Sequence, residues 1–323
     1  MIKFSYYLKQ FFDEYLEHQL GASFHTVKSY KNTFKIFLEF MVNEKNIPIS
    51  KIDFNIITKE LVREFLNYLE NTKNNSAITR NNRLAAIKSF YQFVGIEEPS
   101  YLYEFQGILS IKSKKSAKKE MDYLTQEELK KIFENIDISN KKGRRNLVLL
   151  TLLYDSAIRV SELVNIRVMD LRLNDEPSVT ILGKGNKYRK IPIMNKTKEM
   201  LLNYINENHL ELSSYLFTNY GKNKLSIRMV QLIINKYNIT NKKISPHSFR
   251  RSRAVHMLEA DINIVYIRDI LGHVSVTTTE RYAMVSLELK KRALEKTNNN
   301  TISLEKQTSW NTDPDLLNEL LSL

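Results

Sequence analysis

No cysteine occurs in the 323 residues, so the chain has no disulfide framework, no thiolate metal site and no cysteine nucleophile, and a reducing cytosol is the expected compartment. Long hydrophobic runs are missing too. The longest, LVLLTLL at Leu147 to Leu153, falls far short of the roughly 20 residues that span a bilayer. The opening stretch MIKFSYYLKQFFDEYLEH carries charges every few positions and lacks the apolar core of a signal peptide. A cytoplasmic protein with no membrane partner is therefore expected. Negative charge is in deficit: 36 acidic against 49 basic residues leave a formal charge of +13. Such an excess calls for a polyanionic partner, and nucleic acid fits because each neutralised phosphate releases counterions. An anionic membrane surface would instead recruit a concentrated basic amphipathic helix or a lipidated tail, whereas these basic residues are spread over many segments.

What is present is ordinary globular material. Hydrophobic residues make up 42% and charged ones 26%, which excludes wholesale disorder, and the length suits roughly two domains of 100–200 residues each. The first part reads as helices. Ser23 caps a pattern with Val27, Tyr30, Phe34, Phe37, Leu38 and Met41; Thr58 precedes Leu61, Val62, Phe65, Leu66 and Leu69; Ser76 precedes Ile78, Leu84, Ile87, Phe90, Tyr91 and Val94. This gives a helical domain over 1–108. Arg80 and Arg83 share one side of its third helix and form a candidate phosphate grip, a solvated basic face being the plain alternative. A basic linker over 109–122 follows, in which IKSKKSAKKE offers almost nothing to bury. Its lysines Lys112, Lys114 and Lys115 are candidate DNA-backbone contacts.

A second domain over 123–298 opens with a capping box at Thr125 and Glu128. Helices are expected over about Arg145 to Leu153, after Ile158, after Ser226, after His247, around Ile264 to Leu271 and past Tyr282. In between, Val179 to Leu182 and Arg189 to Ile193 flank GKGNK, which reads as a β-hairpin with Lys184 and Lys187 at its tip. The residues 299–323 read as a flexible arm and a short helix over 314–321, with Asp313 as N-cap and Leu316, Leu317, Leu320 and Leu321 in one stripe. The fold class is mainly α with a small β-sheet.

Three segments concentrate residues suited to phosphate binding and proton transfer: DSAIRVSEL with Arg159, PHSFRRSR with His247 and Arg250, and LGHVSVTTTERY with His273 and Tyr282. Each alone is weak, since a lone histidine or tyrosine is usually structural. Together with Lys184, in the order Arg, Lys, His-x-x-Arg, His, Tyr, they resemble the tyrosine recombinase (phage integrase) family, most nearly its compact Xer-type members. The resemblance covers the chain to about residue 295. It implies a helical, SAM-like core-binding domain and a mixed α/β catalytic domain that clamp duplex DNA. By motif position Arg159, Lys184, His247, Arg250, His273 and Tyr282 match the family's catalytic set.

The implied chemistry needs these residue types. A tyrosine oxygen attacking a phosphodiester builds charge on the non-bridging oxygens, which two guanidiniums can hold bidentately; Arg159 and Arg250 suit this. A phenol with a pKa near 10 is ionised in only about one molecule per thousand at pH 7, so a base is needed, and His247 is the candidate. Lys184 suits the general acid for the leaving 5′-oxygen, and His273 a ligand of the phosphate. Neither ATP nor a cofactor is expected, since one phosphodiester is exchanged for another, and no metal is expected, since these motifs carry no compact acidic cluster of the kind a two-metal nuclease needs.

Several residues bear on the assignment. Ala157 stands where many family members have glycine. His256 reads as structural and Tyr266 as packing within the Ile264, Ile267, Ile270, Leu271 pattern. Arg251 and Arg253 read as DNA-backbone contacts or surface ion pairs. The tail helix 314–321 suits docking on a neighbouring subunit, or folding back on its own domain, and a tetramer on two sites is the expected assembly. A DNA-binding regulator that keeps the fold without turning over, and a monomeric topoisomerase, are the competing readings.

Overall fold

A computed structural model describes residues 3–115, 122–183, 188–219, 223–273 and 275–283, with Asn318, Leu321 and Ser322 beyond them. The chain divides into two compact units, Met1–Lys119 and Glu120–Leu323.

The first unit is helical among its described residues. Helix α1 (Phe4–Gln10) runs on as a π-helix over Phe11–Gln19, followed by α2 (Phe24–Asn43), α3 (Lys59–Asn71), α4 (Ala77–Glu97) and α5 (Leu102–Leu109). Three of these start where a short hydroxyl side chain takes up an orphan N–H: Ser23 accepts from Thr26, Thr58 from Leu61 and Ser76 from Thr79, at 3.2, 3.2 and 3.3 Å. The core is aromatic. Phe90 of α4 lies within 5.2–6.1 Å, ring centre to ring centre, of Phe4, Phe11, Phe34 and Phe54, so truncating it would cost about 3–5 kcal/mol. The start of the basic linker is tied down rather than free. Asn81 of α4 accepts from the backbone N–H of Lys114 at 3.0 Å and donates to its carbonyl at 2.8 Å.

The second unit contains α6 (Gln126–Glu134), α7 (Lys141–Asp155), α8 (Val160–Leu163), three short strands, β1 (Leu171–Arg172), β2 (Ser178–Leu182) and β3 (Tyr188–Pro192), then α9 (Asn195–Glu207), α10 (Ile227–Tyr237), α11 (Pro246–Glu259), α12 (Ile264–Leu271) and α13 (Val276–Ala283). The strands form one antiparallel sheet in the order β1-β2-β3, with Val179 opposite Ile191 and Leu182 opposite Tyr188. The capping box closes as expected, Thr125 accepting from the Glu128 N–H while the Glu128 carboxylate accepts from the Thr125 N–H.

Several boundaries differ from the sequence reading. Helix α7 starts at Lys141, four residues early, because the Asn140 side chain accepts from the Gly143 N–H at 2.8 Å. Helix α11 starts before His247, with Ser245 as N-cap and Pro246 in the first turn. Strand β1 and helix α9 were not anticipated: β1 is two residues long, and α9 buries only Thr197, Leu201 and Tyr204 among polar neighbours. Tyr266 is not packing, since it is 67% exposed on α12. Lys184 and Lys187, and the arm and helix expected over 299–323 apart from Asn318, Leu321 and Ser322, lie outside the described residues.

Helix α11 positions the site. Pro246, Ser248, Phe249, Arg250, Ser252, Ala254 and Val255 are all buried. Ser252 anchors the helix, accepting from the Leu124 N–H at 2.8 Å and donating to the Ser248 carbonyl at 2.8 Å. A helix buried on so many sides holds Arg250 in one place.

Candidate active site

Arg250 is a charged residue only 3% exposed, which is tolerated because three of its N–H groups are spent on fixed acceptors. Nη1 donates to the Ala157 carbonyl at 2.6 Å, and Nη2 donates to the Leu271 carbonyl at 2.5 Å and to Nε2 of His273 at 3.1 Å. The guanidinium thus staples the ends of α7 and α12 to α11. Burial and the charge of Arg159 lower its pKa to about 10, so it stays cationic at neutral pH.

Ala157 makes this geometry possible at some cost. It is fully buried with φ +49°, in the left-handed region that glycine enters freely and alanine does not. The backbone reversal there aims its carbonyl at Arg250, which explains on physical grounds why glycine suits the position.

Arg159 is the N-cap of α8 rather than a residue inside the helix. Its backbone N–H and its Nη1 donate to the two oxygens of Glu162 at 2.8 and 2.9 Å. A third of the side chain remains exposed. Glu162 is 7% exposed and has a second partner, Arg189 of β3, whose Nη1 and Nη2 donate to the same two oxygens at 3.1 and 2.7 Å. Burial pushes the Glu162 carboxyl up, but the hydrogen bonds and charges of Arg189 and Arg159 outweigh it and hold the pKa below the usual range.

His273 follows Gly272, whose φ of +62° ends α12. Its Nδ1 is 3.0 Å from the Thr279 hydroxyl, and its ring stacks on that of Tyr282 at 6.1 Å and 17°. Burial and the charges of Arg250, Arg159 and Arg189 lower its pKa to about 4. Tyr282 lies on α13 and is 9% exposed. His247 stands at the exposed start of α11; partial desolvation and then Arg250, Arg251 and Arg159 lower its pKa as well. Arg159, His247, Arg250, His273 and Tyr282 are therefore brought together. Around them three guanidiniums face one carboxylate, an environment that favours an anion.

His256 is structural: it is buried and shares a 2.8 Å hydrogen bond with the Tyr154 hydroxyl. Arg253 lies over the Tyr154 ring at 5.2 Å. Arg251 is half-buried beside the site. In the first unit, Arg80 is not a free phosphate grip; it is turned inward with its side chain 11% exposed, 3.6 Å from Glu70 and bonded to Asn81. Arg83 donates to Asn75 at 3.3 Å. Lys112, Lys114 and Lys115 are exposed, although Lys114 also pairs with Glu70 at 2.9 Å.

Glu162, Arg189 and Thr279 were missed by sequence reasoning. For Arg189 the signal was available: residues 189 and 191 share one face of β3, and Ile191 is buried. A charged residue on the buried face of a strand needs a partner.

The profile of the phage integrase family matches residues 122–288, and that of the phage integrase N-terminal SAM-like domain matches residues 8–97. Tyrosine recombinase XerC of Staphylococcus carnosus is 32% identical over 273 residues, covering 81% of this chain and 87% of that protein. Tyrosine recombinase XerC of Oceanobacillus iheyensis is 31% identical over 288 residues, covering 85% and 90%. Among solved structures, the XerH site-specific recombinase bound to its palindromic difH substrate superposes with a TM-score of 0.67 at 22% identity, covering 85% of this chain and 80% of that one. A lambda integrase dimer bound to a core site gives 0.66 at 17% identity, covering 87% and 95%. The chain belongs to the phage integrase family, whose members are tyrosine-type recombinases.

Proposed function

We propose that this protein is a site-specific recombinase that cleaves and rejoins duplex DNA through a 3′-phosphotyrosyl link to Tyr282. The observation that carries the reading is the hydrogen-bonded and stacked chain Arg250, His273, Tyr282, set beside Arg159 in surroundings of excess positive charge. In the reaction, the Tyr282 oxygen attacks the scissile phosphorus while the bond from phosphorus to the 5′-oxygen breaks. His247 takes the phenol proton, its lowered pKa favouring the neutral, accepting form at pH 7. Lys184 gives a proton to the departing 5′-oxygen. Arg159 and Arg250 hold the two non-bridging oxygens as their charge grows, and His273 binds and orients the same phosphate. A 5′-hydroxyl from another strand then reverses the steps, so one phosphodiester replaces another and no outside energy is spent.

The partner is double-stranded DNA, with Lys112, Lys114, Lys115, Lys187, Arg83 and Arg251 contributing to backbone contact and Arg80 set aside by the burial of its side chain. A tetramer on two sites, joined through 314–321, is the assembly proposed, and the bacterial or phage-infected cytoplasm the setting. Among the described residues no helix is long and apolar enough to cross a membrane.

The test is a suicide substrate. Nicked DNA fragments of the source genome are incubated with the protein and examined on a denaturing gel. A covalent adduct that is absent with Tyr282→Phe, while that variant still binds the fragment, supports the reading. Tight sequence-specific binding without any adduct favours a regulator on the same fold. An adduct that persists in Tyr282→Phe removes the nucleophile assignment.

A further inference from the structure

We infer that Arg189 is a positioning residue of the cleavage reaction, acting through Glu162 to keep the Arg159 guanidinium available for the scissile phosphate. The inference rests on the recombinase reading above. It starts from the saturation of one carboxylate. The two oxygens of Glu162 receive four N–H groups, two from Arg159 and two from Arg189, at 2.7–3.1 Å. With one buried negative charge shared between two arginines, neither is neutralised. Without Arg189, the whole charge of Glu162 falls on Arg159, the guanidinium that has the greater exposure, 34% against 14% for Arg189.

The rest of the Arg189 side chain is built into the site. Its Nε donates to the Ile270 carbonyl at 3.3 Å. Its stem lies flat on Gly272, so that a β-carbon there would come within 3.0 Å of Nε and Cζ and 3.1 Å of Cδ. Gly272 thus leaves room for the arginine as well as turning the chain at φ +62°. The next residue is His273. Arg189 therefore joins three parts: the N-terminus of α8 with Arg159, the turn that delivers His273, and strand β3. Lysine cannot replace it, since a single ammonium cannot grip both carboxylate oxygens in a planar fork and reach the carbonyl as well.

The experiment compares single-turnover cleavage of two suicide DNAs that carry the site found by the adduct assay. One has the ordinary scissile phosphodiester; in the other a methyl group replaces one non-bridging oxygen, which removes the charge that Arg159 is asked to hold. On the ordinary DNA, Arg189→Ala is expected to slow cleavage about 100-fold and Arg189→Lys about 10-fold, the scale of a misplaced catalytic group. On the methylphosphonate both losses shrink to within about 3-fold, because the guanidinium charge no longer matters there. A merely structural role would slow both DNAs equally, and that result overturns the inference, as does an unchanged rate on the ordinary DNA. If Arg189→Ala does not fold, the ratio for Arg189→Lys decides. An absence of adduct with the unaltered protein would overturn the recombinase reading and this inference with it, whereas a wild-type adduct with equal losses on both DNAs overturns this inference alone.

Discussion

Nη2 of Arg250 donates to Nε2 of His273 at 3.1 Å, while Nδ1 of the same ring lies 3.0 Å from the Thr279 hydroxyl. An arginine has only donors, so Nε2 accepts and the ring proton of the neutral imidazole sits on Nδ1, given to Thr279. Among the described residues three of the five N–H groups of Arg250 are spent on the protein. The remaining donors are those an incoming phosphate can use; when the phosphate replaces Nε2 as an acceptor from Arg250, the ring proton moves to Nε2, the Thr279 hydroxyl turns to donate to Nδ1, and His273 can then donate to the phosphate.

The DNA-free protein should show this arrangement as acid sensitivity. His273 is held at about 4 by burial and by Arg250, Arg159 and Arg189, whereas a histidine in the unfolded chain titrates near 6.5. Between those values the unfolded chain binds the extra proton, so the His273 contribution to stability is complete above about pH 6.5 and is lost as pH falls to 4. Urea midpoints measured over pH 4–7 should fall less steeply for His273→Gln than for the unaltered protein. His247 and His256, also lowered, are present in both and cancel in the comparison. Parallel curves would disprove the assignment.

Lys184, which falls between β2 and β3 in the sequence, is the proposed proton donor. Lys184→Ala should slow cleavage of ordinary DNA by about 100-fold or more, within the range of general acid catalysis. A 5′-bridging phosphorothiolate has a thiolate leaving group that departs without a proton, so the same variant should cleave it at close to the unaltered rate. Equal slowing on both substrates would take the general-acid role away from Lys184.

Gly143 tests the first turn of α7. A β-carbon at this position would fall 1.6 Å from the Asp137 carbonyl oxygen, and the Asn140 cap that starts α7 bonds to its N–H. Neither the backbone nor the cap can yield without unwinding the first turn. Gly143→Ala should therefore destabilise the protein by about 3 kcal/mol or more, read from chemical denaturation. A loss under about 1 kcal/mol would show that the turn relaxes.

Most helix starts were legible because each combines a cap with an apolar period: Ser23, Thr58, Ser76, Thr125 and Ser226 all accept from the N–H three residues on. The motif order also marked Arg159, His247, Arg250, His273 and Tyr282, since these spacings need no knowledge of packing. Helix α9 escaped because its buried residues are only Thr197, Leu201 and Tyr204. Tyr266 was misjudged because an 8-residue helix buries only Ile267 and Leu271 fully, leaving its neighbours outside. Glu162 and Arg189 were illegible as a pair: 27 residues separate them, and only the folded sheet brings the strand against α8. The helix period placed Arg80 and Arg83 on one face but did not show that Arg80 is turned inward beside Glu70 of α3, with its side chain 11% exposed.

Tyr91 offers a stability test away from the site. Its ring is fully buried among Phe54, Phe90 and Phe105, yet its hydroxyl has no hydrogen-bond partner. A buried hydroxyl that has left water without compensation costs about 1–3 kcal/mol, and burial, with the charge of Asp53 adding to it, drives its pKa far up so that it stays neutral. Tyr91→Phe removes the orphaned oxygen and keeps the ring, with the remaining void too small to offset the gain. The variant should be as stable as the parent or up to about 2 kcal/mol more stable by chemical denaturation, with DNA cleavage unchanged. A loss of more than about 1 kcal/mol would mean that the hydroxyl is satisfied in solution, by a buried water bonded to it, and that the aromatic core of the first unit is less dry than its packing implies.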